Sequence, residues 1–219
     1  MAPARVLLAA LLVVANGCSR RVTPVAPPLP AGETARVAVL PFEPGVIDDK
    51  GRFAPIAAVE GVGPEVGPDV ARRLSADLSA AGVAVVDPDR VAGAASLGAS
   101  GSFDAAFAAS VARKVGANLA VLGALSLYQQ RDGSAWGATR PAGVDYQTLL
   151  VRADGATPAA QVRFAYTQQA LSENLLDLPK FVQGGGRWMT REEILDGALR
   201  ETAGKLATVV RANPARAAR

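Results

Sequence analysis

The chain has 219 residues, half of them apolar but only 5% aromatic, with 23 Lys and Arg against 20 Asp and Glu for a net charge of +3. It holds no histidine and one cysteine, Cys18. That excludes Ser-His-Asp and Cys-His catalysis in their usual forms, histidine-ligated zinc and any internal disulfide. The basic residues are scattered, so no nucleic-acid partner is expected, and no cofactor or metal is expected either.

Arg5 leads into an apolar run over residues 6–15. At about ten residues the run is too short to cross a hydrocarbon core, which takes roughly 20 helical residues. It reads as the hydrophobic region of a secretory signal. Small residues then meet the lone cysteine in Ala15-Asn16-Gly17-Cys18. This arrangement resembles the bacterial lipoprotein signal, in which the cysteine thiol takes a diacylglycerol and becomes the mature first residue; an ordinary signal peptide is the alternative. The resemblance implies a signal peptide at 1–17, a lipid on Cys18 and attachment to a membrane. Ser19 after the cysteine is compatible, by the same resemblance, with an outer-membrane address facing the periplasm; the inner membrane is the other option.

Residues 19–34 carry four prolines and no hydrophobic period. With Cys18 they read as an extended tether, able to reach on the order of 50 Å in polyproline geometry. Residues 35–42 (ARVAVLPF) predict the first strand, closed by Pro41. Residues 43–64, punctuated by Gly and Pro, read as a long loop. Helical spacing of Val66, Val70, Leu74, Leu78 and Ala81 predicts a helix over 65–81, with Gly67-Pro68 in its first turn and Gly82 as its stop. A short strand at 83–86 completes a β-α-β unit, so its two strands should be parallel.

Asp87-Pro88-Asp89 opens a short helix to about residue 95, and a Gly/Ser break follows at 98–102. Residues 104–115 predict a helix with Phe103, Phe107 and Val111 on one face and Gly116 as its stop. Residues 118–128 (NLAVLGALSLY) form the most continuous apolar run of the mature chain, the pattern of a central strand buried on both faces. After a polar loop at 129–142, residues 144–152 and 160–167 predict an antiparallel pair turning at Asp154-Gly155. Residues 168–189 are irregular. Thr190 and Glu193 fit a capping box at the start of a last helix, whose stripe runs from Ile194 to Val210.

The expected fold is therefore a single α/β domain over 35–213, in two or three layers. It has a mixed sheet of about five strands packed with helices and is followed by a basic tail at 214–219. Three stretches carry a resemblance: ARVAVLPF, DVARRLSADLSAAGVAVVDPDRV and ARKVGANLAVLGALSLY. Together they resemble the superfamily of the domain found at the amino end of TolB, in the curli-secretion lipoprotein CsgG and in LpoB, the activator of penicillin-binding proteins. The resemblance covers about residues 35–128. Its motifs are structural, with Gly116 and Gly123 at turn and close-packing positions, so it implies no catalytic residue.

Gly184-Gly185-Gly186-Arg187 could hold an anion at a helix start, or serve only as a hinge. Glu192-Glu193 is read as capping, and Asp48-Asp49 beside Lys50 as solvated. Phe181 and Trp188, with neighbouring leucines, either fold back as a satellite core or present an apolar patch to a partner. Trp136, between Gly133 and Gly137, has the same two readings. The resulting expectation is a non-enzymatic, lipid-anchored protein that binds another envelope protein through Phe181, Arg187, Trp188 and Trp136. The alternative is a subunit of a CsgG-like secretion pore, for which 144–152 and 160–167 are the only candidate membrane strands.

Overall fold

In the computed structural model the described residues are 34–48, 50–96, 103–136, 138–168 and 187–212. Cys18, the tether, Phe181 and the glycines at 184–186 lie outside them.

The opening apolar run forms β1 (Arg36–Val39), with Val37, Ala38 and Val39 buried. Pro41 has no N–H to give and the strand stops before it. The chain re-enters the sheet as β2 (Glu43–Ile47), turns, and returns as β3 (Phe53–Pro55). The helix α1 (Val66–Ala80) buries Val70, Leu74 and Leu78 on one stripe. Then β4 (Ala84–Val85) lies parallel to β1, as the β-α-β reading requires.

Next come α2 (Pro88–Ser96) and α3 (Ala105–Val115). Asp104 caps α3 by accepting the Phe107 N–H at 2.9 Å, and Gly116 ends it in the left-handed region at φ 73°, where a side chain would be strained. The central strand β5 (Leu119–Gln129) follows, then the small hairpin β6 (Asp132–Gly133) and β7 (Ala138–Arg140). The long pair β8 (Gly143–Arg152) and β9 (Pro158–Thr167) leads to the last helix, α4 (Arg191–Ala212).

Seven strands make one mixed sheet. One edge of β5 is shared: β1 pairs with its first half through Val37↔Leu119 and Val39↔Val121, and β2 takes over at Glu43↔Ala124. The other edge of β5 pairs antiparallel with β8 from Leu119↔Arg152 to Gln129↔Gly143, and β9 pairs with β8 outside it.

Helices cover both faces, which settles the architecture as three layers. On one face α1 and α4 pack over Val37, Val39, Val121, Leu125, Leu150 and Val162. On the other, α2 and α3 pack over Ala38, Leu40, Ala120, Leu122 and Val151. Alternate residues of β1 and β5 thus serve opposite cores, as period-2 geometry demands. Leu195, Leu199 and Leu206 of α4 are completely buried, and burial of such a side chain contributes about 1.5–3 kcal/mol. The Tyr146 hydroxyl, deep in this layer, lies 2.8 Å from Thr202 Oγ1.

Three expectations are corrected. Residues 43–64 are not one long loop, since β2 and β3 add two strands to the expected five. Gly45 and Pro44 argue locally against a strand. The free edge of β5 and the turn at Asp48 supply the pairing instead. Asp48 is also not merely solvated. Its Oδ1 accepts the N–H groups of Lys50 and Arg52, each at 2.9 Å, and its Oδ2 takes Arg52 Nε at 2.7 Å. The polar loop at 129–142 likewise contains the β6–β7 hairpin.

Candidate protein-docking surface

At the end of the sheet where β5 and β9 finish and β8 and α4 begin, three of the residues expected to bind a partner come together. Trp136 sits at the tip of the β6–β7 hairpin and is 80% exposed. The residue before it, Ala135, accepts the Trp188 N–H at 2.8 Å. That bond ties the hairpin tip to the segment entering α4, and the Arg131 guanidinium reinforces it by donating to the Trp188 carbonyl. Trp188 is half-buried here, so it belongs partly to the packed interior and partly to the surface.

Arg187 stands beside Trp188 and is committed to α4. Its guanidinium grips Glu193 with both terminal nitrogens, Nη1 reaching Oε2 at 3.1 Å. The same carboxylate accepts the Thr190 N–H at 2.9 Å, and Thr190 Oγ1 accepts the Glu193 N–H at 3.2 Å. This is the reciprocal capping box predicted for the helix start. The Arg187 hydrogen bond, followed by the Thr190 N–H, holds the Glu193 carboxyl below its usual range. The guanidinium that was a candidate anion ligand therefore spends its charge on a structural carboxylate.

The bracing underneath was not foreseen from sequence. Gln130 accepts the N–H of Arg191 at 3.3 Å and donates to Glu192 Oε2 at 3.0 Å. Arg191 lies over the Tyr128 ring at 4.3 Å from its centroid and reaches the carbonyls of Tyr128 and Gly61. Gln168, almost fully buried, donates to the Arg187 carbonyl at 3.0 Å and accepts the Met189 N–H at 2.7 Å. Arg140 of the hairpin pairs with Glu60 at 2.9 Å. No local pattern marks these Gln and Arg residues, because their partners come from distant parts of the chain. The backbone next to the exposed tryptophan is thus tied to the entry of α4.

A second concave feature lies at the far end of β1, where a groove of about 830 Å³ is walled by Phe42, Pro44, Phe53, Ile56, Phe103 and Phe107. Phe53 meets Phe103 edge-on at 4.9 Å, and Phe103 meets Phe107 at 5.8 Å. Glu43 is its acidic wall residue, and partial burial pushes that carboxyl above its usual range.

Among the described residues no cluster of His, Cys, Asp and Glu could hold a metal ion, and no helix is long and apolar enough to cross a membrane. The candidate membrane strands at 144–152 and 160–167 are built into the domain sheet, with Tyr146, Leu150 and Val162 buried beneath α4. Fold and surface together define a single α/β domain with a mixed sheet between two helical layers, bearing a braced tryptophan hairpin.

Neither a protein-family model nor a curated protein matches the sequence. Among solved structures, the chain is similar to the PelC dodecamer from Paraburkholderia phytofirmans, at 14% identity and a TM-score of 0.45 over 92% of this chain and 100% of that one. It is similar to the LpoB C-terminal domain from Salmonella enterica, at 17% identity and a TM-score of 0.40 over 64% of this chain and 88% of that one. A third is lipoprotein GNA1162 from Neisseria meningitidis, at 14% identity and a TM-score of 0.41 over 69% and 95% of the two chains. No site residue is carried over from any of the three.

Proposed function

We propose that this protein is a non-catalytic adaptor, lipid-anchored at Cys18 in the bacterial cell envelope and facing the periplasm, which captures another envelope protein through the surface around Trp136 and Trp188. The observation that carries the reading is Trp136, 80% exposed at the tip of a hairpin held from below. A large solvent-facing indole has only two χ angles to fix on binding, and tryptophan is among the residues that dominate interface energetics. The leader and the cysteine supply the address, and the proline-rich tether supplies reach.

A photo-crosslinking residue at position 136, introduced in cells that process the full chain, tests this directly. One envelope protein should be captured at position 136 and not at Thr208, which is exposed on α4. Mass spectrometry of the mature protein should find a diacylglycerol on Cys18. Trp136→Ala should leave unfolding unchanged, as an exposed substitution does, while partner capture falls by about 30-fold, the equivalent of about 2 kcal/mol. Equal capture at 136 and 208, or lipid alone at 136, would remove the basis for the reading.

A further inference from the structure

The end of the domain opposite the tryptophan hairpin gathers cations that lie scattered along the sequence. Asn118 ties that end together. Its N–H donates to the Arg36 carbonyl at 3.1 Å, its Oδ1 accepts the Arg36 N–H at 2.8 Å, and its Nδ2 donates to the Thr34 carbonyl at 3.0 Å. The Asn118 carbonyl accepts the Ala153 N–H at 2.9 Å, and the Arg113 guanidinium donates to the Ala153 carbonyl. Lys114 follows Arg113 in the last turn of α3. On the other side of β1, Arg36 lies opposite Ala84 of β4. Arg211, near the end of α4, donates to the carbonyl of Ala81, three residues before Ala84, at 2.8 Å. Arg36, Arg113, Lys114 and Arg211 are all exposed.

Negative charge is scarce at this end. The described segments that meet there, 34–36, 81–84, 113–118, 152–158 and 208–212, hold a single carboxylate, Asp154. Arg152 takes up its charge in a hydrogen-bonded ion pair. Asp77, a turn before the end of α1, lies within reach of the Arg200 charge on α4. Four cations therefore stand without a carboxylate partner among the described residues. A face of one sign attracts a surface of the other within a Debye length, about 10 Å at 0.1 M salt.

We propose that this end of the domain docks on an anionic phospholipid surface, with Arg36, Arg113, Lys114 and Arg211 at the headgroups. Two observations select that occupant. The chain carrying Cys18 joins the domain here, at Thr34, sixteen residues further on; in this the choice of a membrane rests on the lipid-anchor reading. Charge complementarity is the second. Each Lys or Arg near such a surface strengthens binding about fivefold, so four together amount to several hundredfold. The contact also sets an orientation. From Leu119 to Gln129 the strand β5 spans about 33 Å at 3.3 Å per residue. With the basic end on the lipid, the hairpin that follows β5 faces away from the membrane.

The test uses the processed chain, residues 18–219, carrying Cys18→Ser so that no acyl chain contributes. Its probes are phosphatidylcholine vesicles with and without about 30% phosphatidylglycerol. Cosedimentation at low salt should show binding several hundredfold tighter to the anionic vesicles, lost in about 0.5 M NaCl. Arg36→Gln with Lys114→Gln should weaken it about 25-fold. Arg72→Gln with Arg90→Gln makes the same change in net charge on α1 and α2, and should weaken it less than about threefold. An environment-sensitive fluorophore on Ala84→Cys, an exposed position beside Arg36, should shift to the blue on binding. One on Thr139→Cys, exposed on the hairpin, should not. Equal binding to neutral vesicles, equal effects of the two double variants, or a lipid signal at position 139 would overturn the proposal. So would tighter binding to soluble polyglutamate than to vesicles of equal anionic charge, because the partner would then be an acidic protein. An unmodified Cys18 thiol in the mature protein would remove the anchor reading and leave the vesicle result standing.

Discussion

Gly123 in the middle of β5 offers the sharpest test of how the core is built. A Cβ at that position would lie 2.5 Å from Cγ, Cδ1 and Cδ2 of Phe42. Carbons in contact prefer about 3.5–4.0 Å, so the ring must retreat by about 1 Å. Retreat is obstructed on two sides. The Phe42 N–H donates to the Gly67 carbonyl at 3.2 Å, and its ring edge packs on Tyr146 with centroids 6.0 Å apart. Overpacking of this kind costs about 1–3 kcal/mol, offset by about 0.4–1 kcal/mol from the reduced freedom of the unfolded chain. Gly123→Ala should therefore lose about 1–2 kcal/mol. For a domain of this size that lowers Tm by about 2–8 °C. Urea and thermal unfolding of the parent, Gly123→Ala, Phe42→Leu and the double variant form a complete cycle. The Gly123→Ala penalty should nearly vanish once the ring is gone, a coupling of about 1 kcal/mol or more. A Gly123→Ala protein as stable as its parent, or an equal penalty in both backgrounds, would refute the close-approach argument.

Three further outcomes follow from other parts of the molecule. Thr190→Ala removes one arm of the capping box and should cost about 1 kcal/mol, read as a lower Tm and faster amide exchange at Glu193. Tyr146→Phe strips the partner from the buried Thr202 hydroxyl and should cost about 1–3 kcal/mol, most of it recovered by adding Thr202→Val. Asp48 tests the β2–β3 turn through pH. Its carboxyl is held below the usual range, first by the Arg52 N–H and then by the Arg52 side chain. The unfolded chain therefore takes up the proton first as pH falls. The contribution is present in full above the ordinary aspartate pKa of about 3.9 and disappears as pH drops through the lower folded value. Protection of the Arg52 amide, its exchange rate relative to that of an unfolded peptide at the same pH, should fall over that acid window in the parent and already be low at neutral pH in Asp48→Asn.

The elements that declare themselves locally were legible in the sequence. The stripe of α1, the Gly116 stop of α3, the unbroken apolar run of β5 and the Thr190–Glu193 box all depend on residues a few positions apart. What escaped depends on partners far along the chain. The strand β2 contains Pro44 and Gly45 and exists because β5 leaves an edge free beside Ala124. Of the site, Trp136 and Trp188 stood out by residue type, and the structure joins them through Ala135. The supports beneath them, Gln130, Gln168 and Arg191, are ordinary polar residues until their carbonyl and amide partners are brought beside them.

The buried amide of Gln168 has a consequence for how this architecture tolerates change. By bonding both the Arg187 carbonyl and the Met189 N–H, it clasps shut the neck of the stretch numbered 169–186. Doubling the length of such a closed stretch adds only about 0.6 kcal/mol of closure entropy. Between residues 168 and 187 an inserted tag or a grafted epitope should therefore cost the domain little stability.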